Sequence, residues 1–211
     1  MRALFVIAAS AFAVVGFAGG AAAQRDATPA YYLVRLDLRL CPSPMCGGAW
    51  VRRVNHATTR CVDGSEAREC YVASVIGSLQ GGTFTLARGR LVPAGIVGFP
   101  GLGALRVSAT WEHAGISSWR GSVYRVRDNG VRCVTSPCFS FNAAKLETTR
   151  RTTLSDVDLS RVSAHPESLV KARLALARGG LIVAGTVRVV PDVGPAGDGR
   201  VLVATQFWLS R

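Results

Sequence analysis

Six cysteines, Cys41, Cys46, Cys61, Cys70, Cys133 and Cys138, are the residues whose type and spacing could carry the most chemistry. As thiolates, the Cys-x4-Cys pairs at 41/46 and 133/138 could supply half of a zinc site; oxidised, they close short loops. A zinc reading needs a second ligand pair in each stretch, and a redox reading needs Cys-x-x-Cys; the sequence supplies neither. An even count in an exported chain predicts disulfides. Ser43-Pro44-Met45-Cys46 is echoed by Ser136-Pro137-Cys138, and the later stretch holds only Cys133 and Cys138. Those two pair; by equivalence Cys41 pairs with Cys46, which leaves Cys61 for Cys70. Each short loop so closed contributes roughly 2–3 kcal/mol.

Other reactive constellations are thin. No Gly-x-Ser-x-Gly stretch marks a serine nucleophile. His56, His113 and His165 are isolated from one another, and paired cysteines are not nucleophiles. Asp156 and Asp158 alternate onto one face of a strand, as solvent-facing carboxylates do, and Glu66 and Glu69 sit in a turn between cysteines. Gly98-Phe99-Pro100-Gly101-Leu102-Gly103 lacks the strand-turn-helix setting of a phosphate cradle. The expectation is no catalytic residue, no metal site and no cofactor.

Charge is the remaining signal. The chain has 25 basic against 13 acidic residues, and all but Lys145 and Lys171 of the basic ones are arginines. Arg35, Arg39, Arg52, Arg53, Arg60, Arg125, Arg127 and Arg132 gather in two hairpin regions. On alternating strands Arg35 shares a face with Arg39, and Arg125 with Arg127. With Tyr124 alongside, these four form the expected binding residues, suited to an anionic polymer such as acidic polysaccharide or to lipid headgroups. Export argues against nucleic acid.

The elements that position these residues can be read along the chain. Met1-Arg2, the apolar run from Ala3 to Ala18 and Ala21-Ala22-Ala23 predict a signal peptide over 1–23, and no later segment offers the roughly 20 apolar residues of a membrane span. Strands are expected over Tyr31 to Leu40, Ala49 to Val54, Tyr71 to Ile76, Gly121 to Arg127, Val131 to Val134 and Leu154 to Leu159. Further strands are expected over Arg90 to Val97, Leu105 to Glu112, Leu181 to Val190 and Val201 to Leu209. Asp128-Asn129-Gly130 reads as a tight hairpin turn, and Asp63-Gly64 as the turn inside the Cys61–Cys70 staple. Pro166-Glu167 opens a helix that Gly179-Gly180 stops.

Leu86 to Val97 reads as a copy of Leu176 to Val187, and Val107 to Trp111 is echoed before Trp208. The expected architecture is therefore α+β, mostly antiparallel strands, in two tandem repeats stapled by disulfides with one helix in the second. The repeats span 24–116 and 117–211 and could form one combined domain.

Cys41-Pro42-Ser43-Pro44-Met45-Cys46-Gly47-Gly48, Arg53-Val54-Asn55, Cys61-Val62-Asp63-Gly64, Glu69-Cys70-Tyr71-Val72 and Gly130-Val131-Arg132-Cys133 with Pro137-Cys138 carry a resemblance. Through them the chain resembles a family of exported bacterial proteins catalogued as a domain of unknown function. That resemblance implies export and disulfides, and brings no activity with it. The expected function is that of an exported, non-enzymatic binding or envelope-associated domain, placed in the periplasm or outside the cell. Its partner would be an envelope or extracellular protein or an anionic polymer. The alternatives are a secreted hydrolase inhibitor presenting a rigid disulfide loop and an envelope enzyme acting on polysaccharide.

Overall fold

The computed structural model describes residues 28–79, 84–115 and 119–210. The expected leader over 1–23 and the expected repeat boundary at 116/117 lie outside the described residues.

Five strands of the first half close a ring. They are β1 (Ala30–Leu36), β2 (Ala49–Arg53), β5 (Cys70–Ile76), β6 (Phe84–Pro93) and β7 (Gly103–His113). β1 pairs antiparallel with β2 and β6, β2 with β5, and β6 with β7, and the ring closes through a parallel β5–β7 pairing. The short strands β3 (Thr59–Arg60) and β4 (Glu66–Ala67) form a separate ribbon inside the Cys61–Cys70 loop.

The second half uses β8 (Ser122–Asp128), β9 (Phe141–Lys145), β10 (Arg151–Leu154), β11 (Asp156–Asp158), α1 (Pro166–Arg178), β12 (Leu181–Gly194) and β13 (Gly197–Ser210). β8 pairs with β9 and β12, β9 with β10, β12 with β13, and β11 runs parallel to β13. Counting β10 and β11 as one strand that changes partner at Ser155, both rings follow the order 1-2-3-5-4, with the parallel pair between third and fifth. This is the Greek-key order of OB-type barrels. A β-barrel architecture thus dominates a chain with one described helix, within the expected mix of many strands and few helices.

Burial explains the closure. Ala49, Val51, Val72, Ala87 and Leu105 are at most 1% exposed and fill the first barrel. Val126, Leu154, Leu181, Leu202 and Phe207, none above 1% exposed, fill the second beneath Ala172 and Leu176 of α1. That helix begins with Pro166 in its first turn, where no amide bond is lost, and ends where Gly179 N–H donates to Ala175 O (3.0 Å). A third cluster, with Leu33, Val54, Leu86, Val123, Leu146, Ile182 and Trp208, draws on both halves.

β7 and β13 also pair directly, Trp111 opposite Ser210, Glu112 opposite Leu209 and His113 opposite Trp208, so one sheet runs through both barrels. Polar contacts reinforce the seam. Asn55 Nδ2 donates to Val123 O (2.8 Å) and Leu146 O (2.9 Å), and its Oδ1 accepts from Val123 N–H (2.9 Å). Glu147 Oε1 accepts from Tyr31 N–H (3.1 Å), and its Oε2 takes Arg53 Nε and Nη2 at 2.9 and 2.8 Å.

The disulfides are Cys41–Cys46, Cys61–Cys70 and Cys133–Cys138, as the equivalence of the two cysteine loops predicts. Three such bonds suggest an oxidising, exported environment. Among the described residues no helix is long and apolar enough to cross a membrane.

Local expectations fail in several places: the strand expected over Arg90 to Val97 runs from Phe84 to Pro93, and the one expected over Leu154 to Leu159 breaks at Ser155 between β10 and β11. β1 stops at Leu36 rather than Leu40, because Asp37 turns its carboxylate inward to hold Arg39 Nε and Nη2 (2.9 and 2.8 Å). Val131 to Val134 is loop, not strand, and Asp128-Asn129-Gly130 is not a two-residue hairpin turn. The Asp128 and Asn129 side chains accept from Gly130 and Val131 N–H (2.7 and 2.9 Å) and lead the chain outward, and β8 meets its partner only at Phe141. The stretches Leu86 to Val97 and Leu176 to Val187 do not occupy matching places. Leu86-Ala87-Arg88 lies in β6, whereas Leu176-Ala177-Arg178 ends α1. The same tripeptide follows its surroundings: β-forming Phe84 and Thr85 on one side, a helix already under way on the other.

Candidate functional site

The outer face of the second barrel is built by register. Arg125 on β8 stands opposite Ala144 on β9, which stands opposite Arg151 on β10. One row on, Arg127 faces Asn142, which faces Thr153. Val126, between the two arginines, is fully buried in the core, so the pleat turns both arginines to solvent.

These residues, with Thr152 and with Arg200 from β13, line a cavity of about 620 Å³ whose walls carry four guanidinium groups and no carboxylate. A neighbouring cavity of about 360 Å³ shares Arg151, Thr152 and Arg200 and adds Lys145, Arg150 and Tyr124.

The four arginines are held differently. Arg125 Nη2 donates to Tyr31 OH of the first barrel (3.1 Å). Arg200 Nη1 donates to Thr152 Oγ1 and Thr153 O (both 3.2 Å), and its guanidinium lies 5.7 Å from the Phe139 ring centroid. The exposed side chains of Arg127 and Arg151 make no hydrogen bond or ion pair among the described residues. A surface of unneutralised, partly oriented guanidinium groups is an anion-binding arrangement, because the planar fork matches carboxylate and phosphate oxygens.

The corresponding row of the first barrel is Arg35, Trp50 and Tyr71, and it differs in chemistry. Arg35 pairs with Glu69 (3.1 Å), and Arg39 pairs with the buried Asp37 (2.8 Å). Both guanidinium groups lie 5.8 Å from the centroid of Trp50, which meets Tyr71 edge-on at 5.4 Å. The Arg39 hydrogen bonds hold the Asp37 carboxyl below its ordinary pKa. Tyr71 OH accepts from Gly48 N–H and donates to Pro44 O (both 3.1 Å), which ties the first disulfide loop to this face.

The five residues expected from sequence therefore separate. Arg125 and Arg127 share one cavity, Tyr124 lines the next, and Arg35 and Arg39 lie on the other barrel beside acids. Arg151 and Arg200 were missed. The one signal for Arg151 was its place in the Thr-rich run Thr148-Thr149-Arg150-Arg151-Thr152-Thr153, whose β-branched residues favour a strand though it carries no apolar alternation. Arg200 carried no signal, because its position depends on where β13 starts.

Three of the carboxylates, Asp128, Asp156 and Asp158, share a cavity of about 480 Å³ beside α1 with Arg173, and the others lie elsewhere. Asp128 is bound by Arg132 (2.8 Å), and hydrogen bonds from Ser160 lower the Asp158 pKa. Asp63 accepts from Ser65 Oγ (2.7 Å) and Glu69 holds Arg35, both on the first barrel. Burial lowers the pKa of His113, whose Nε2 accepts from Gln206 Nε2 (2.7 Å). Among the described residues, no group of three or more His, Cys, Asp or Glu side chains could hold a metal ion.

A family model described as a domain of unknown function, DUF6748, matches residues 30–211, and the chain belongs to that family. No curated protein and no solved structure matches it.

Proposed function

We propose that this DUF6748 member is an exported, non-enzymatic binding protein made of two copies of one barrel, and that its ligand is an anionic polymer held by the second copy. The observation that carries the reading is the cavity of Arg125, Arg127, Arg151 and Arg200, four cations without a carboxylate among them. It lies on strands one to three of the barrel and so overlaps the face of strands two and three through which OB-type barrels bind oligonucleotides and oligosaccharides. That analogy is one of fold and adds weight only beside the arginines themselves.

Register supports the duplication. Gly89 and Gly185 both stand beside a β-bulge and face the first strand of their own barrel, opposite Ala30 and Ser122. Trp111 and Trp208 both lie opposite the fourth strand, at Leu86 and Ile182. Asn55 and Glu147, both at φ near 60°, follow the second strands and reach across the seam to an amide at the start of the other barrel. Export is supported by the three disulfides and by the leader-like residues 1–23.

The test is salt elution of the mature protein from an anionic matrix. Exposed charge contacts contribute about 0.2–1 kcal/mol each. Replacing Arg125 and Arg127 by Ser should therefore weaken retention roughly two- to thirtyfold and move elution to lower salt. Retention unchanged in that double variant would remove this surface from the function. Serine at Arg35 and Arg39, which already face acids, should matter much less.

A further inference from the structure

We infer that the polymer is an acidic polysaccharide lying across β8, β9 and β10, contacted at several anionic groups rather than clamped at one. This rests on the anionic-polymer reading and adds the class of ligand.

The arginines are tethered apart. Arg125 is bonded to Tyr31 on the first-barrel side of the surface, and Arg200 to Thr152 and Thr153 at the β10 side. Their anchors differ, Tyr31 on β1 for one and β10 for the other, and β8 and β10 lie two strand spacings or roughly 9.5 Å apart. Arg127 sits one row along from Arg125, about 6.8 Å on the same strand. A lone phosphate would require these groups to give up their present hydrogen bonds and converge. A chain carrying an anion on successive units meets them where they stand.

The floor selects the kind of chain. Beside the arginines the cavity is lined by Ala144, Asn142 and Thr153, small or hydroxyl- and amide-bearing side chains that can exchange hydrogen bonds with sugar hydroxyls, while the Thr152 hydroxyl is held by Arg200. No aromatic ring lines this cavity. Sites for single-stranded nucleic acid rely on aromatic platforms for base stacking, and the first barrel places Trp50 and Tyr71 where the second has Asn142 and Thr153. Among the described residues, the lining of this cavity offers cations and hydrogen bonds without a stacking surface.

The experiment is calorimetric titration of the full mature chain with galacturonic acid, tri- and hexagalacturonate, inorganic polyphosphate and oligothymidylate, the last two matched in charge to the hexamer. The expected result is a gain of tenfold or more from monomer to hexamer, with the hexamer at least tenfold tighter than either charge-matched control. Arg151→Ser and Arg200→Ser should flatten the length dependence, with near-ultraviolet circular dichroism and thermal midpoint reporting that each variant is folded. Equal affinity for polyphosphate or oligothymidylate would overturn the polysaccharide while leaving the anionic-polymer reading intact. Monomer binding as tight as hexamer would overturn the extended contact. No binding of any of the five would overturn both readings.

Discussion

Asn55 shows how much one side chain can hold. It occupies the left-handed region at φ 60°, which suits Asn better than most residues, and its amide makes three hydrogen bonds to the β8 start and the β9 end. Ala at this position would strand the Val123 N–H and two carbonyls at a half-buried seam and would resist the backbone angle. Asn55→Ala should lower stability by roughly 2–3 kcal/mol in urea unfolding. Asn55→Gly, free of the backbone penalty but equally without the amide, should recover about 1 kcal/mol of that loss. Equal midpoints for Ala and wild type would show that the seam does not depend on these bonds. Nothing local in Arg53-Val54-Asn55 announces this role, since its partners Val123 and Leu146 lie 68 and 91 residues away; the cysteines were legible because their partners are five and nine residues off.

At the scale of elements, the strand-four bulges decide how tightly each barrel can turn. A side chain at Gly185 would meet Val203 O, and one at Gly89 would meet Arg106 O, the backbone of the neighbouring strand in both cases. Backbone cannot move aside as a flexible side chain can, so Gly185→Ala and Gly89→Ala should each cost about 2 kcal/mol or more. Gly179→Ala, with open space around its added carbon, should stay within roughly 0.5 kcal/mol of wild type. Thermal midpoints of the three variants check this ordering.

The elements were also where sequence reading succeeded and failed most visibly. α1 was readable from Pro166 to Gly179 because helix signals are local. Alternation gave Ala49 to Val54 and Tyr71 to Ile76 nearly to the residue. Two things stayed out of reach. The parallel β5–β7 and β11–β13 pairings join strands with other elements between them, so no adjacent pattern encodes them. The Arg125–Arg151 row depends on a register through β9 that single-strand alternation does not specify.

For the whole molecule, the decisive fact is that the two barrels share rather than touch. The third apolar cluster includes Leu33, Leu86, Ile182 and Trp208, from four strands of two rings, and the β7–β13 ladder runs beside it. Unfolding by urea should follow one transition, with tryptophan fluorescence and far-ultraviolet circular dichroism coinciding, because neither ring keeps its full core alone. Two separated transitions would contradict that coupling.

The ladder at Glu112 and Leu209 has one more consequence. Its antiparallel register reads the same from either side, so each half carries, as a recognition edge for the other, the kind of surface by which separate subunits form a symmetric pair. The covalent link is then a means of raising local concentration rather than a structural necessity. Fragments ending at Gly115 and starting at Trp119, mixed in equal amounts, should complement one another, whereas either alone would offer its open strand to a second copy of itself.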